Sequence, residues 1–348
     1  MSDRAVLLTP SRGLGGGIER YVETLEWAFV EQRVEYRRVD LKHAGVAAHA
    51  QLLIEAREQM RAIMPTRLVV AHRSLLPAAW LLTRRGARCG ISVICHGEDV
   101  WGAGHWVRRS IEKRLMRRPG VRVVAVSSFT AGALAGNHPA TILRPGLSRE
   151  WFDTLVKTSA EIRSPKTGTN LVTVFRLADW RGKGLPELLA AVAALDRTDI
   201  RVTVCGSGEP PPELERLVHQ HPFCTLRPGS TDRELANQLA AAGLFVLATR
   251  TRSGRASSGE GFGLVLLEAQ VAGTPVIAPA YGGSHDAYLD RVTGFAPADE
   301  SAGELTKVLE QMLADPGQLA EMGKRAAEWA RECFAPEQYA PQAVARLL

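Results

Sequence analysis

Short β-branched runs alternate with longer helical patterns along nearly the whole chain. Of all the features of the sequence, this alternation most restricts the folds that the chain can adopt. The strand-like runs are AVLLT, VEYRRV, RLVVAH, ISVICH, VRVVAVS, TILR, LVTVFRL, IRVTVC, CTLRPG, LFVLAT and PVIAP. The helical patterns are Glu19–Gln32, Ala47–Ile63, Pro186–Leu195, Asp232–Ala242 and Phe262–Ala272. Because such alternation is typical of parallel sheets covered by helices on both faces, the chain is predicted to be an α/β protein.

The chain has 348 residues, which is more than one hydrophobic core usually serves. Its periodicity stops between Trp151 and Thr169, where the sequence is polar and contains Pro and Gly, and this segment is predicted to be a linker. A helical tail without further strands follows Gly303. We therefore predict two Rossmann-like, doubly wound domains, 1–155 and 156–335, with the ligand loops of both around a central cleft.

The composition argues against a disulfide-rich protein and against a membrane-spanning protein, but it does not indicate a function. Apolar residues make up 45% of the chain and charged residues 23%, as in ordinary globular proteins. The net charge of +6 is compatible with anionic partners but does not identify which anion is bound. The five cysteines form no CxxC pair, and no apolar run approaches the roughly 20 residues of a membrane span, so a cytoplasmic protein with reduced thiols is predicted.

Several familiar motifs are incomplete. The segments GLGGGIE and GSG lack the last glycine of a dinucleotide-binding loop, and RGKG lacks the first glycine and the Ser/Thr of a P-loop. The chain also lacks an Asp-x-Asp pair, which is the usual carboxylate platform for a divalent metal on a sugar nucleotide, and it lacks a GxSxG elbow. The prediction is accordingly a site without metal ligands.

The stretch SGEGFGLVLLEA holds two glutamates, Glu260 and Glu268, around a glycine-rich helix start near Phe262. Gly261 and Gly263 let a ligand approach the unpaired N–H groups there, which suit a phosphate. A helical rise would separate the two acids by about 12 Å, beyond the roughly 5–9.5 Å of glycosidase carboxylate pairs. They therefore fit the two ends of a nucleotide sugar, although either acid alone is as readily a helix cap or a surface residue.

Two cations are expected at the carboxyl end of one strand. Arg176 follows the strand LVTVF, and Lys183 follows the short loop LADWRG. Ligands bind at this end of the strands in such sheets, and two cations there could neutralise a departing diphosphate. An isolated Arg or Lys is as easily explained by surface salt bridges.

The first half of the chain offers two further candidates. His96 ends the strand ISVIC, where it can hydrogen-bond a sugar hydroxyl or serve a structural role. Gly16 and Gly17 lie in the first strand–helix turn, where backbone can approach a phosphate or make a tight turn.

Taken together, these segments resemble the retaining GT-B glycosyltransferases of family 4 (glycosyltransferase group 1). The resemblance covers nearly the whole chain in order, through GGGIER, HGED, VSSFT, FRLADWRGKG, VCGSG, EGFGLVLLEA, GTPVIAP and YGG. The combination of E-x7-E with an upstream Arg and Lys-Gly is far more specific than any single glycine pattern.

The resemblance implies roles for individual residues. Glu260 would bind hydroxyls of the donor hexose, Arg176 and Lys183 the diphosphate, and His96 would lie beside the transferred sugar. The donor-binding residues implied are Gly16, Gly17, Gly206, Phe262, Gly263, Leu264 and Glu268, with Glu268 on the ribose. The final helix, 336–348, would cross back to the first domain.

The implied reaction moves a hexose from a nucleoside-diphosphate sugar, most often of UDP or GDP, to a hydroxyl of a glycan or natural-product acceptor. The resemblance implies an α-linkage formed with retention, deprotonation helped by the leaving phosphate, and no other cofactor. Polysaccharide or antibiotic biosynthesis is the implied context. A non-catalytic nucleotide-sugar-binding protein, a sugar-nucleotide epimerase and a glycan phosphorylase remain open alternatives. Nucleic-acid binding is not expected, because no aromatic-basic module appears.

Two basic segments lie outside these roles. The segment Ala248–Glu260 is longer than the family's turn and carries Arg250, Arg252 and Arg255, which fits either a grip on an anionic ligand or a mobile loop. The second segment, Arg108–Arg118, is a candidate for contact with the inner face of an anionic membrane. Its apolar stripe of Val107, Ile111 and Leu115 is interrupted by arginines, which favours a solvated basic face.

Overall fold

The structure is a computed structural model. It describes residues 3–10, 16–84, 89–101, 106–136, 138–162, 168–251 and 259–348, without the side chains of Glu98 and Trp101. The chain divides into two compact units. Within the described residues, the first unit comprises 3–148 and 336–348, and the second comprises 149–335.

The first unit is built on a six-stranded parallel sheet. Its strands are β1 (Arg4–Thr9), β2 (Glu35–Asp40), β3 (Arg67–Val70), β4 (Gly90–Cys95), β5 (Val121–Ala125) and β6 (Thr141–Ile142). Its helices are α1 (Gly17–Glu31), α2 (Val46–Ile63), α3 (Leu76–Thr83), α4 (Glu98–Trp101), α5 (Trp106–Met116) and α6 (Ser128–Ala135). The strand order is β2-β1-β3-β4-β5-β6, so the chain reverses direction across the sheet between β1 and β3.

The second unit repeats this architecture with another six-stranded parallel sheet. Its strands are β7 (Asn170–Val174), β8 (Arg201–Gly206), β9 (Cys224–Pro228), β10 (Leu244–Val246), β11 (Val276–Ile277) and β12 (Gly294–Phe295). Its helices are α7 (Arg149–Glu161), α8 (Leu185–Ala194), α9 (Pro212–His219), α10 (Asp232–Ala241), α11 (Leu264–Val271), α12 (Ala302–Leu313) and α13 (Pro316–Cys333). The order β12-β11-β10-β7-β8-β9 places the reversal between β7 and β10.

The inner strands of both sheets are buried as the sequence pattern predicts. In β1 every residue from Ala5 to Thr9 has no exposed surface, and in β10 all three residues are equally buried. Strands covered on both faces read as continuous apolar runs, since neither face of the sheet is left to solvent. The predicted α/β class with two doubly wound sheets is therefore confirmed. Strand β12 is an addition that the short run Gly294–Phe295 did not signal.

The predicted linker between Trp151 and Thr169 is wrong over its first part, which is the helix α7. Trp151, Leu155 and Thr158 are buried along this helix. Their spacing of four and three residues puts them on one helical face, so the segment is amphipathic although polar residues separate them. The predicted domain boundary between 155 and 156 falls inside α7, whereas the compact units divide between Ser148 and Arg149.

The chain ends with α14 (Pro336–Leu347), which belongs to the first unit and packs on α1. Side chains of the sheet bind its last carbonyl groups: Ser92 Oγ donates to Leu347 O at 2.6 Å, and Arg122 donates to Arg346 O at 3.0 Å. The last carbonyls of a helix have no partner within the helix, so these donors stabilise its end. Gly146 leaves room for the helix, because a Cβ there would lie 2.5 Å from the ring of buried Tyr339.

Candidate active site

Three side chains meet at the carboxyl ends of the two strands that flank the reversal in the second unit. Lys183, after β7, forms an ion pair with Glu260, with Nζ and Oε2 2.9 Å apart. Thr249, after β10, donates from Oγ1 to the same Glu260 oxygen at 3.0 Å. In open parallel sheets this reversal is where the strand ends leave a crevice for ligands. Lys183 and Glu260 were sequence candidates, whereas Thr249 was missed although it ends the predicted strand LFVLAT.

The loop that carries Lys183 is held against the end of β10 by a glycine. Gly184 has a φ of 71°, and a Cβ at this position would lie 1.9 Å from the carbonyl oxygen of Ala248. Only a residue without a side chain allows this approach and this conformation. The amide of Arg250 also donates to Gly182 O at 2.8 Å, so the loop and the strand end are joined on both sides of Lys183.

The backbone around Glu260 is held by the segment YGG. Gly283 N–H donates to Glu260 O at 2.7 Å, and a Cβ at Gly282, whose φ is 111°, would lie 2.7 Å from that oxygen. The alternative that Glu260 caps the following helix is not supported, because no side chain in the described part of the chain caps α11. Glu260 instead directs its carboxylate to Lys183 and Thr249.

Helix α11 begins at Leu264, two residues later than the predicted start near Phe262. Gly263 precedes it with a φ of 83°, a conformation that favours glycine. The side chain of Phe262 is buried and faces Phe334, with the ring centroids 6.2 Å apart. The first N–H groups of a helix have no partner within it, so the start of α11 can offer such groups to a ligand. The sequence estimate of the separation of the two acids does not apply, because it assumed a helix from Glu260 onward.

Glu268 lies four residues into α11 with only 2% of its surface exposed. The indole of Trp151 donates from Nε1 to Glu268 Oε1 at 3.0 Å, and Trp151 is itself 4% exposed. The alternative of a partly exposed helix acid is therefore wrong. Trp151 was missed because its segment was interpreted as a linker, although its spacing with Leu155 is that of an amphipathic helix.

Arg176 and Lys183 interact with different acids. The guanidinium of Arg176 lies 3.8 Å from Asp179 Oδ2, and 45% of the Arg176 side chain is exposed. Gly206 ends β8 nearby in the sheet, where a Cβ would lie 2.0 Å from the carbonyl oxygen of Phe175. The carboxyl ends of β7 and β8 are thus in direct backbone contact beside Arg176.

The candidates in the first unit lie in the segments that follow β1 and β4. Gly16 and Gly17 begin α1, and Gly16 O accepts from Arg20 N at 3.1 Å. A Cβ at Gly17 would meet no other atom of the described residues within 4 Å, so packing there does not require glycine. The rest of this turn, 11–15, lies outside the described residues.

His96 directly follows β4 and is partly buried. Its Nε2 lies 2.7 Å from Ala71 O, and since a carbonyl oxygen only accepts, Nε2 must carry the proton. The ring packs edge-on against Tyr21, with the centroids 5.1 Å apart. Burial lowers the pKa of His96 below its ordinary value, so the neutral ring presents Nδ1 as a hydrogen-bond acceptor.

A buried charged network adjoins His96 and was not anticipated from the sequence. Asp99 Oδ1 accepts from the amides of His96 and Gly97 at 2.9 and 2.8 Å. Arg73, which is 1% exposed, donates to Asp99 O at 2.9 Å and pairs with buried Glu112 at 2.9 Å. This network connects the carboxyl ends of β3 and β4 to α5.

The insert before Glu260 is described only at its start. Arg250 forms an ion pair with Glu187, and Thr251 N donates to Glu300 Oε1 at 2.6 Å. Arg252 and Arg255 lie outside the described residues, so the two interpretations of this insert stay open.

Helix α5 exposes most of its side chains, as its interrupted apolar stripe predicts. Leu115 is buried, whereas Val107 and Ile111 are 40% and 48% exposed, and Trp106 at the helix start is 76% exposed. Among the described residues, every helix is too short or too polar to span a lipid bilayer. No three His, Cys, Asp or Glu side chains of that part of the chain gather as a metal ion would require.

The model of the family described as glycosyl transferases group 1 matches residues 157–329. These residues contain Lys183, Thr249, Glu260 and Glu268, the side chains that the second unit places around α11 and the ends of β7 and β10. The chain belongs to the group 1 glycosyltransferases.

Relatives of this group 1 glycosyltransferase extend the match into the first unit. A GDP-mannose-dependent α-(1-6)-phosphatidylinositol monomannoside mannosyltransferase of Mycolicibacterium smegmatis is 29% identical over 264 residues, covering 72% of this chain and 67% of the relative. A D-inositol 3-phosphate glycosyltransferase of Streptomyces avermitilis is 31% identical over 235 residues, covering 61% and 48%. The chain is accordingly a glycosyltransferase that uses a nucleotide sugar.

Solved structures agree on the fold. Sucrose-phosphate synthase of Thermosynechococcus elongatus superposes with a TM-score of 0.79 at 19% identity, over 98% of both chains. HepE of Anabaena, in complex with UDP and glucose, superposes with a TM-score of 0.75 at 16% identity, over 99% of both chains. The fold of the group 1 glycosyltransferase is GT-B, as the sequence predicted.

Proposed function

We propose that this glycosyltransferase moves a hexose from a nucleoside-diphosphate sugar to an acceptor hydroxyl with retention, forming an α-glycosidic bond without a metal ion. The observation that carries the proposal is the convergence of Lys183, Thr249 and Glu260 at the reversal between β7 and β10. A carboxylate and a hydroxyl there suit sugar hydroxyls, and the ammonium suits the phosphate of a departing diphosphate.

In the proposed reaction Glu260 binds hydroxyls of the hexose while Lys183 and Arg176 stabilise the charge that develops on the diphosphate. Such stabilisation by preorganised groups is usually the largest contribution to lowering the barrier. Phe262, Gly263 and Leu264 offer their backbone N–H groups, and the helix dipole of α11 favours an anion at the same place. The leaving phosphate takes the proton of the acceptor hydroxyl, so no separate base is needed.

The same scheme assigns Glu268 to the ribose and Gly206 to the nucleotide in the second unit. In the first unit it assigns Gly16 and Gly17 to the phosphates and His96 to the transferred sugar. His96 supports this assignment because its protonated Nε2 is engaged with Ala71 O, which leaves Nδ1 to accept from a sugar hydroxyl.

The proposed donor base is uracil or guanine, and the proposed acceptor is a hydroxyl of a glycan or natural product. The names of the relatives add GDP-mannose and inositol phosphates to the compounds to be tested. A thermal-shift screen against UDP-, GDP-, ADP- and dTDP-sugars identifies the donor, since a ligand of the native state raises the unfolding temperature.

The reaction itself is tested with the donor so identified and a panel of glycans, cyclitols and their phosphates. Proton NMR of the product reports the anomeric configuration, and a parallel reaction in EDTA reports the metal requirement. A β-linked product from an α-donor, or loss of transfer in EDTA that added Mg²⁺ restores, would contradict the proposal.

We also propose that α5 lies against an anionic membrane surface. Its exposed Trp106, Val107 and Ile111 adjoin Arg114 and Lys113, a combination of apolar and basic side chains that suits an interface of acidic lipids. Cosedimentation with phosphatidylglycerol vesicles, and not with phosphatidylcholine vesicles, is expected, and Trp106→Ser with Ile111→Ser should reduce it. Val30→Ser, on α1, removes an apolar side chain whose 64% exposure lies between those of Ile111 and Trp106, and it serves as the control.

A further inference from the structure

The hydrogen bond between Trp151 and Glu268 joins two buried side chains that are 117 residues apart in the chain. Trp151 Nε1 and Glu268 Oε1 are 3.0 Å apart, with exposures of 4% and 2%. An indole N–H only donates and a carboxylate only accepts, so the bond has one direction and one geometry. It therefore constrains the orientation of the Glu268 carboxylate.

Glu268 lies in the most apolar part of α11. Leu266, Leu267 and Ala269 around it have no exposed surface, and Gln270 is equally buried. Burial of a carboxylate costs several kcal/mol unless it is hydrogen-bonded. An apolar residue at 268 would avoid that cost, so the fold of α11 does not by itself account for an acid here.

Trp151 reaches Glu268 because of the helix α7. This helix packs against α10 and α11, and Trp151 stands on the same buried face as Leu155 and Thr158. The family model begins only at residue 157, so Trp151 lies outside the matched segment. Its indole is thus supplied to the matched donor region by the helix that opens the second unit.

We propose that Trp151 is a positioning residue for nucleotide binding: its indole N–H orients the carboxylate of Glu268 so that the ribose hydroxyls can donate to it. A carboxylate offers about four acceptor positions, so the bond to the indole is compatible with two ribose hydroxyls. The inference rests on the assignment of Glu268 to the ribose in the proposed function. Trp151 does not touch the nucleotide in this scheme and acts only through Glu268.

The test measures the affinity of UDP, GDP and their 2′,3′-dideoxy forms by isothermal titration calorimetry with the full chain. In the unaltered protein the ribonucleotide should bind roughly ten- to a hundredfold more tightly than the dideoxy form, the range expected for hydrogen bonds to a charged group. Trp151→Phe keeps the buried ring but removes the N–H, and it should reduce this ratio to about threefold or less without changing the affinity of the dideoxy form.

Two further variants separate the possible results. Glu268→Gln should also reduce the ratio to about threefold or less, because a neutral amide oxygen accepts a hydrogen bond more weakly than a carboxylate. Thr158→Val alters the same face of α7 without touching Glu268 and should leave the ratio unchanged. Loss of the ratio in Trp151→Phe and Glu268→Gln, with retention in Thr158→Val, is the expected result.

Other results overturn specific claims. If Glu268→Gln loses the ratio and Trp151→Phe keeps it, the positioning role fails while the ribose assignment stands. If Trp151→Phe weakens both forms of the nucleotide equally, Trp151 serves only the stability of the fold. If Glu268→Gln keeps the ratio, or neither UDP nor GDP binds, the proposed donor assignment fails and the inference fails with it.

Discussion

Lys183 and Glu260 are 77 residues apart in the chain, yet their side chains meet at 2.9 Å beside the reversal of the second sheet. Lys183 is 27% exposed and Glu260 14%, so the pair is half-buried and open to a ligand. The fold therefore arranges the cation, the carboxylate and Thr249 before any nucleotide sugar arrives. Such prior arrangement lowers the reorganisation needed during the reaction.

Removing either partner of this pair should affect the reaction far more than the fold. Lys183→Met and Glu260→Gln should each lower turnover by roughly 10²–10³-fold, the usual loss for a preorganised electrostatic group. The free energy of unfolding should change by about 1 kcal/mol or less, as for ion pairs near the surface. Nucleoside diphosphate release and urea unfolding measure the two effects.

Lys307→Met provides the matched control for this prediction, because it breaks an exposed Lys–Glu pair with Glu304 in the same unit. Its turnover should equal that of the unaltered protein. Normal turnover in both Lys183→Met and Glu260→Gln would contradict the assignment of the pair to the active site.

The two glycines beside Lys183 should respond very differently to alanine. At Gly184 the added Cβ would lie 1.9 Å from Ala248 O, and the φ of 71° is strained for any side chain. Gly184→Ala should therefore destabilise the protein by at least about 1–3 kcal/mol. At Gly182 the nearest contact would be an ordinary 3.5 Å to Asp179 O, so Gly182→Ala should cost less than about 1 kcal/mol. Equal unfolding midpoints for the two variants would contradict the described geometry.

The buried ion pair of Arg73 and Glu112 should be important for the stability of the first unit. Arg73→Met leaves the carboxylate of Glu112 buried with fewer partners, which typically costs about 3–5 kcal/mol. Arg108 contacts the other oxygen of Glu112 at 2.9 Å, but its side chain is 51% exposed. Arg108→Met should therefore cost about 1 kcal/mol or less. Urea unfolding compares the two, and a smaller loss for Arg73→Met than for Arg108→Met would refute the interpretation.

The stability of the protein should depend on the protonation of His96. Burial lowers its pKa in the folded state, with His72 acting in the same direction and Asp99 opposing it. The unfolded chain then binds more protons than the folded protein below about pH 6.5. The contribution of His96 to stability is complete above that value and is lost as the pH falls toward the folded pKa.

His96→Gln removes this titration, so its free energy of unfolding should fall less than that of the unaltered protein between pH 7 and pH 5. Urea unfolding at several pH values measures the two slopes. The difference between the two slopes isolates the contribution of His96 from that of the rest of the protein. Parallel slopes for both proteins would show that His96 does not carry this dependence.

The sequence alone determined the class of fold and most of the candidate site. Apolar strand runs separated by helical patterns are compatible with few folds other than parallel sheets, because helices must cover both faces of each sheet. The family resemblance through E-x7-E and the Lys-Gly loop is confirmed by the match of the group 1 family over 157–329. Glu260 and Lys183 could be found this way because their motifs are local, and their roles remain predictions.

The tertiary structure alone decided which side chains act together. Thr249 contacts Glu260, which is 11 residues away in the chain, and Trp151 contacts Glu268, which is 117 residues away. No local sequence pattern indicates such contacts. The same holds for α7, whose buried face has meaning only against α10 and α11. Local sequence sets periodicity and backbone preference, whereas the partners of a side chain depend on the order of the strands, which brings distant segments to one edge of the sheet.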